Sequence, residues 1–335
     1  MLLAQRKNRL IWAEQATHQM NLVCPGCKQK VIFRKGQHKI AHFAHVRHAE
    51  CGFSEGETTE HLKGKKQLYH WAKQQGWSPQ LETYLPQIEQ RPDLLLTIHS
   101  QKVALEFQCS PLSLERMIER NQGYQKLGIR VCWLLGQPYQ RRLGCKKVVQ
   151  FTQLINHRPV ILYWNTKRRQ LIQRDFQRCS YSRQRLNKAV ILGQQIKYLQ
   201  KLPHRNPRPA ERALLQAIYP RRLAQCPLVC HDIVPTWPMS EYPLLLWRIE
   251  IILYLEKMPL FSAWLQDSWH QLLYIIGKSH WATPACVEQH QLLQPVFSQF
   301  TRELISNQIM LATGQQLILI RRPQWVTNPN DKLKQ

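Results

Sequence analysis

The sequence predicts an α/β protein whose central layer runs α, β, β, β, α, β, behind a short cysteine-rich segment and ahead of a basic, mainly helical region. Three observations carry this. Residues 91 to 110 read as two short apolar strands joined by a polar four-residue turn at His99 to Lys102, interrupted by Asp93, Glu106 and Gln108. A Cys24-Pro-Gly-Cys27 pair is followed by His42, His45 and Cys51. The formal net charge of +26 is uneven, with 20 Lys/Arg against 2 Asp/Glu in residues 138 to 222. A chain of 335 residues has room for two ordinary domains behind a small leading segment. The expected divisions are 1–56, a zinc-binding segment; 57–175, the α/β domain; and 176–335, a basic helical domain.

In chain order, residues 2 to 23 form a strand-rich lead-in, with Leu10-Ile11 and Leu22-Val23 as its apolar pairs. Cys24 and Cys27 then make a tight knuckle in which two thiolates grip one ion. Val31-Ile32-Phe33 reads as a strand. A Cys-x2-Cys pair with a later His/Cys group has the ligand types and spacing of a structural zinc site. Cys24 and Cys27 are the fixed ligands, and the other two come from His42, His45 and Cys51. Spacing does not choose among these three.

Residues 57 to 76 read as a helix capped at Thr58 or Thr59 and closed by Gly76, with Leu68, Trp71 and Ala72 in its buried stripe. Glu60, near its start, either points towards the hairpin or serves the helix N-terminus as a carboxylate favoured by the macrodipole. His61 and Lys65 lie one turn apart. Leu81, Thr83 and Leu85 alternate as a first strand. In the hairpin, pairing Ile98 with Val103 sets Asp93 opposite Gln108 and puts Asp93, Glu106 and Gln108 on one face. A carboxylate in the middle of an apolar strand has to be compensated by a metal, a cation or solvent. Two acids on one face suit a divalent cation. Ser113 to Leu127 reads as a second helix, on which Arg120 and Tyr124 are i, i+4 neighbours able to hold a phosphate and a base or sugar. Ile129 to Leu135 is a buried strand.

Beyond Gly136, the apolar runs Val148 to Phe151 and Val160 to Trp164 are expected to extend the sheet. Lys167, Arg168 and Arg169 head a basic stretch in which Tyr163, Trp164, Tyr181 and Tyr198 lie among cations, a mixture that suits phosphate contact with base stacking. The expected partner is therefore a polyanion, DNA above all. Residues 230 to 320 are helical in pattern, and Cys226-x3-Cys230-His231 reads as core or loop. No stretch approaches about 20 uncharged apolar residues, so no membrane span is expected. Pro243 to Leu260 is broken by Arg248, Glu250 and Glu256. With Arg6, Lys7 and Arg9 where a secretory signal would need apolar residues, a cytoplasmic location is expected.

Together, Cys24-Pro-x-Cys27, His42-Phe-Ala-His45, Glu60-His61-x3-Lys65, Arg91-Pro-Asp93, Ala104-Leu-Glu106-Phe-Gln108-Cys-Ser110, Arg120-x3-Tyr124 and Trp133-Leu-Leu-Gly136 closely resemble the competence protein family CoiA. The resemblance is dense over about residues 1 to 150. It implies a restriction-endonuclease-like core of the PD-(D/E)xK superfamily behind a zinc-binding segment, in a protein of natural DNA transformation. In that superfamily two acids bind Mg²⁺ or Mn²⁺, and a lysine two residues after the second acid orients or activates water. Gln108 stands at that place and carries no charge. Lys102 or Lys65 substitutes only if the fold brings one round.

Two functional readings follow. In the first, Glu60, Asp93 and Glu106 hold the cation of a deoxyribonuclease, a phosphodiester hydrolase acting on single-stranded or branched DNA. In the second, the same fold binds DNA and recruits recombination proteins without cutting. Position 108 divides them.

Overall fold

The computed structural model describes the chain apart from residues 38–39, 47–50, 52–56, 141–142, 177–186, 235–236 and 335. It falls into two compact units: Met1–Leu143 with Phe151–Asp175, and Gly144–Gln150 with Phe176–Gln335.

The first unit opens with a five-stranded antiparallel sheet. Its strands are β1 (Leu3–Arg6), β2 (Arg9–Trp12), β3 (Leu22–Val23), β4 (Lys30–Arg34) and β5 (His42–His45), in the order β2-β1-β3-β4-β5. Ala4, Leu22, Cys24, Val31 and Phe43 are buried together as a small core of its own. The next element is the helix α1 (Thr59–Gln74), whose N-cap is Thr58: its hydroxyl accepts the His61 amide at 3.1 Å. Gly76, at φ +77°, ends the turn that follows it.

A seven-stranded sheet forms the rest of this unit. Its strands are β6 (Ser78–Leu81), β7 (Leu94–Ile98), β8 (Gln101–Gln108), β9 (Arg130–Leu135), β10 (Gln153–Ile155), β11 (Arg158–Asn165) and β12 (Gln170–Asp175). The order is β10-β11-β9-β8-β7-β6, with β12 also on β11. Helix α2 (Leu114–Lys126) connects the parallel pair β8 and β9, and its cap is the Ser113 hydroxyl on the Arg116 amide. Alternate residues of the hairpin serve opposite faces. Leu94, Leu96, Leu105 and Phe107 pack with Leu62, Leu68 and Ala72 of α1. Leu95 and Ala104 pack with Tyr124 of α2 and Ile129. The αβββαβ order read from the sequence is therefore present, and β10 to β12 extend its sheet.

Three details differ from expectation. The first strand ends at Leu81, because Glu82 adopts φ +49° and its carboxylate turns to accept the Leu2 and Leu3 amides. The hairpin turn is two residues long, not four: His99 and Ser100 both have positive φ, the combination a tight I′-like turn requires. Ile98 therefore pairs with Gln101, and one step beyond the last pair, Leu94 with Leu105, Asp93 comes beside Glu106 rather than Gln108. A slip of two residues keeps the shared face of the three side chains. Thirdly, Val148 and Val149 belong to a helix, not a strand.

That helix, α3 (Cys145–Gln150), belongs to the second unit, with α4 (Lys188–Lys201), α5 (Pro209–Ile218), α6 (Leu244–Lys257), α7 (Gln266–Ile276) and α8 (Gln289–Ser306). The apolar stretch from Pro243 is the buried helix α6. Its Arg248 is compensated by Glu303 and by the carbonyls of Val229 and His231. A small antiparallel sheet of β13 (Ala263–Leu265), β14 (Met310–Thr313) and β15 (Gln316–Leu319) was not expected from the helical pattern. Its strands of three and four residues are too short to register as alternation.

Candidate functional site

The knuckle forms as spacing demands. The Cys24 amide donates to Gln29 O at 2.8 Å, the Lys28 amide donates to Cys24 O at 3.0 Å, and Lys28 takes the left-handed conformation that tightens the turn. The ligand atoms of Cys24, Cys27, His45 and Cys51 all lie within 4.8 Å of one another, with Cys27 Sγ 3.3 Å from His45 Nε2. His42 is not in this group; its Nδ1 lies 2.9 Å from Ile40 O. The reason is the strand: residues three apart on β5 point to opposite faces, so only one of the two histidines can join the thiols. Burial, aided by Arg91, lowers the His45 pKa and keeps its imidazole in the neutral form a metal needs. Three thiols and an imidazole at these separations fit a tetrahedral soft-ligand ion.

A second cluster surrounds Asp93. His61 and Lys65 lie one turn apart on α1, and Glu57, just before the N-cap Thr58, reaches the same side. Gly64 lets this helix approach β8, since a Cβ there would sit 2.0 Å from the Phe107 ring. His61 Nε2 lies 2.9 Å from Asp93 Oδ2, and the Phe107 amide donates to the same oxygen at 2.8 Å. Lys65, 1% exposed, donates to Glu57 and Glu82 and lies 3.7 Å from Asp93 Oδ1. Ligand atoms of Glu57, His61 and Asp93 are also within 4.8 Å of one another.

The charges in this cluster hold one another. Burial would raise the Asp93 pKa, yet His61, Lys65 and the Phe107 amide outweigh it and hold the carboxyl well below its usual range. Glu57 is likewise lowered against the pull of burial, chiefly by Lys65. Glu82 is brought to about 2 by Lys65 despite its burial. For His61, burial opposes the charge, but Asp93 prevails and raises the pKa.

Glu106 is handled separately. It is 4% exposed and accepts from both Arg120 Nη2 and the Tyr124 hydroxyl, while the same Arg120 nitrogen lies 3.1 Å from that hydroxyl. Burial raises the Glu106 pKa, with Arg120 opposing. Arg120 and Tyr124 therefore face an acid inside the fold, and Tyr124 is wholly buried. The Gln108 amide turns away to Ser110 O at 2.7 Å. Glu60 accepts the Gln137 amide at 2.7 Å. The structure thus groups Asp93 with Glu57 and His61 rather than with Glu60 and Glu106. Glu57 and Glu82 escaped the sequence reading; the four-residue spacing from Glu57 to His61 and Lys65 was the signal for the first, and Glu82 left none. Of the two candidate lysines, Lys65 comes round to the acids, whereas Lys102 pairs with Thr97 near the hairpin turn.

Lys167, Arg168 and Arg169 are exposed at the β11–β12 turn, where Asn165 Oδ1 accepts the Lys167 and Arg168 amides at 3.0 Å each. Tyr163 and Trp164 beside them are buried, Trp164 against Trp71 of α1 and Tyr163 under Arg174, so neither offers a stacking face. Tyr198 is half-buried, with Arg205 over its ring at 5.2 Å. Tyr181 lies outside the described residues.

Among the described residues, no helix is long and apolar enough to cross a membrane. No solved structure matches the chain. Residues 5–54 match the family described as Competence protein CoiA, N-terminal domain, and residues 57–206 match Competence protein CoiA, nuclease-like domain. The Competence protein CoiA of Bacillus subtilis (strain 168) is 37% identical over 120 residues, which span 36% of this chain and 32% of that protein. The chain belongs to the CoiA family of competence proteins and carries its nuclease-like domain behind its N-terminal domain.

Proposed function

We propose that this protein processes incoming DNA in the cytoplasm during natural transformation, as a metal-dependent deoxyribonuclease with a restriction-endonuclease-like core. The observation that carries the reading is Lys65. Buried on α1 and 3.7 Å from Asp93, it supplies from a helix the positive charge that Gln108 lacks on the strand. Asp93, Glu57 and His61 are the candidate ligands for Mg²⁺ or Mn²⁺, and an imidazole among them suits Mn²⁺ better. Such an ion supplies Lewis-acid polarisation of a phosphate oxygen. The Phe107 amide and His61 fix the Asp93 carboxylate in place, and Lys65 keeps it ionised. Lys167, Arg168 and Arg169 contact the DNA backbone, and Zn²⁺ held by Cys24, Cys27, His45 and Cys51 braces the N-terminal domain.

One observation favours a second reading, a DNA-binding module that recruits recombination proteins: Glu106 is already compensated by Arg120 and Tyr124. The experiment that separates the two incubates purified full-length protein with labelled single-stranded, duplex and branched DNA, in Mg²⁺, Mn²⁺ or chelator. Cleavage that chelator and Asp93→Asn both abolish supports the nuclease. Equal trace cleavage by wild type and Asp93→Asn, with DNA binding intact, leaves the binding module.

A further inference from the structure

The second unit holds a thiol cluster that neither the zinc ligands nor the acids use. Cys226 lies just before a tight turn, Leu228–Cys230, that Cys230 ends, and both are fully buried. Lys332 reaches the same point with 1% of its surface exposed. Its Nζ donates to Ala224 O at 2.8 Å and to Cys226 O at 3.0 Å, and lies 2.8 Å from His231 Nε2. Three acceptors use the three donors of an ammonium.

The tautomer follows from this. With Nε2 accepting, the His231 proton sits on Nδ1 and donates to Gln195 Oε1 at 3.0 Å, while Gln195 Nε2 donates to Asp232 O at 2.9 Å and fixes the amide. A buried ammonium needs a counter-charge. Asp232 lies 3.7 Å from Arg248, and Glu303 is bound to that same arginine. Cys226 Sγ, by contrast, lies 3.9 Å from Lys332 Nζ and 3.7 Å from His231 Nε2. Burial disfavours a thiolate there, but the Cys230 hydrogen bond and the Lys332 ammonium bring Cys226 well below the usual thiol range; burial lowers the Lys332 pKa in turn, with Cys226 opposing. Cys230 is raised by burial and by its neighbour, and so keeps its proton.

We propose that Cys226 and Cys230 form a thiol–disulfide couple, with Lys332 as counter-ion of the reduced form, that takes hydrogen peroxide as its oxidant and releases Lys332 when the disulfide forms. The Cys226 sulfur attacks one peroxide oxygen; an S–O bond forms, the O–O bond breaks, and hydroxide leaves. Cys230 sulfur then attacks Cys226 sulfur, the S–S bond forms, the S–O bond breaks, and the Cys230 proton departs with the hydroxyl as water. Two electrons pass from the thiols to peroxide. The ammonium is left without its anion in a buried place and moves to solvent, drawing out the segment Pro329–Lys334.

The test uses full-length reduced protein treated with hydrogen peroxide, then blocked at remaining thiols and mapped by peptide mass, with parallel labelling of amines by an N-hydroxysuccinimide ester. The expected result is a Cys226–Cys230 disulfide that dithiothreitol reverses. Lys332 labelling should rise from background to that of exposed Lys197 in the same samples. In Cys230→Ser, dimedone should trap a sulfenic acid at Cys226. Cys226 and Cys230 remaining thiols while the half-buried Cys132 and Cys145 oxidise, or a disulfide with Lys332 still protected, overturns the proposal.

Discussion

The Phe107 amide donates to Asp93 Oδ2 at 2.8 Å across the hairpin, turning the Asp93 carboxylate towards α1 although its neighbour in register is Glu106. Asp93 and Glu106 therefore answer to different cations. Asp93→Asn keeps an acceptor for that amide but removes the charge opposite His61 and Lys65. We expect Asp93→Asn to fold, to lose chelator-sensitive cleavage, and to bind Mn²⁺ at least about tenfold more weakly, as a lost anionic ligand implies. Calorimetric titration with Mn²⁺ checks this.

Glu106→Gln should be costly to the fold. It leaves Arg120 buried without its acid, a change worth about 3–5 kcal/mol. Adding Arg120→Met should recover most of that loss, because the uncompensated charge is then gone. Urea denaturation of the single and double variants measures both. A neutral Glu106→Gln would show that the pair is dispensable.

The titration of His61 has a definite sign. Its folded pKa is raised, so the stability it contributes is fully present below about pH 6.5, its unfolded value, and is lost as pH rises through the folded value. Asp93 is lowered, so its contribution is present above about pH 4 and is lost only in stronger acid, as pH falls through its folded value. Wild type should therefore lose stability relative to His61→Gln on raising the pH from about 6.5. Over the same range Mn²⁺ affinity should rise, since the ion competes with the His61 proton. Denaturation curves and metal titrations at stepped pH read the two trends.

Elemental analysis of protein purified without chelator should give about one zinc per chain. His42→Ala should retain it, and His45→Ala should lose it.

Changing Lys167, Arg168 and Arg169 together to alanine should weaken binding to all DNA sequences alike. It should also reduce the slope of log affinity against log salt by about 2 to 3, as three phosphate contacts each contribute about 0.7–0.9. Fluorescence anisotropy across a salt series measures it.

The sequence carried the αβββαβ order because both helices of that layer have a visible start and stop: Thr58 and Ser113 as caps, Gly76 and Gly128 after the ends. It carried the acids on the hairpin because a strand alternates. Side-chain destinations were less legible. Nothing in the order of residues says that Glu82 leaves its strand to meet Lys65, since that depends on a backbone reversal and on an N-terminal strand arriving from eighty residues away. Arg120 and Tyr124 were placed rightly on one side of α2, but which way that side faces is decided by packing against β8. The histidine choice was readable after all: once His42-Phe-Ala-His45 is taken as a strand, the two rings cannot share a face.

Among the described strands, β6 ends the seven-stranded sheet with Ser78-Pro79-Gln80-Leu81. A proline in that position has no amide hydrogen to offer to an incoming chain, and it interrupts the row of donors that a bare sheet margin presents. At the opposite margin β12 places Arg174 and Asp175 near its end. Desolvating those charges penalises stacking of one copy's sheet onto another's. Both margins of this sheet are thereby poor templates for fibrillar growth, which would matter most if copies gather on DNA at high local concentration, as the proposed function requires.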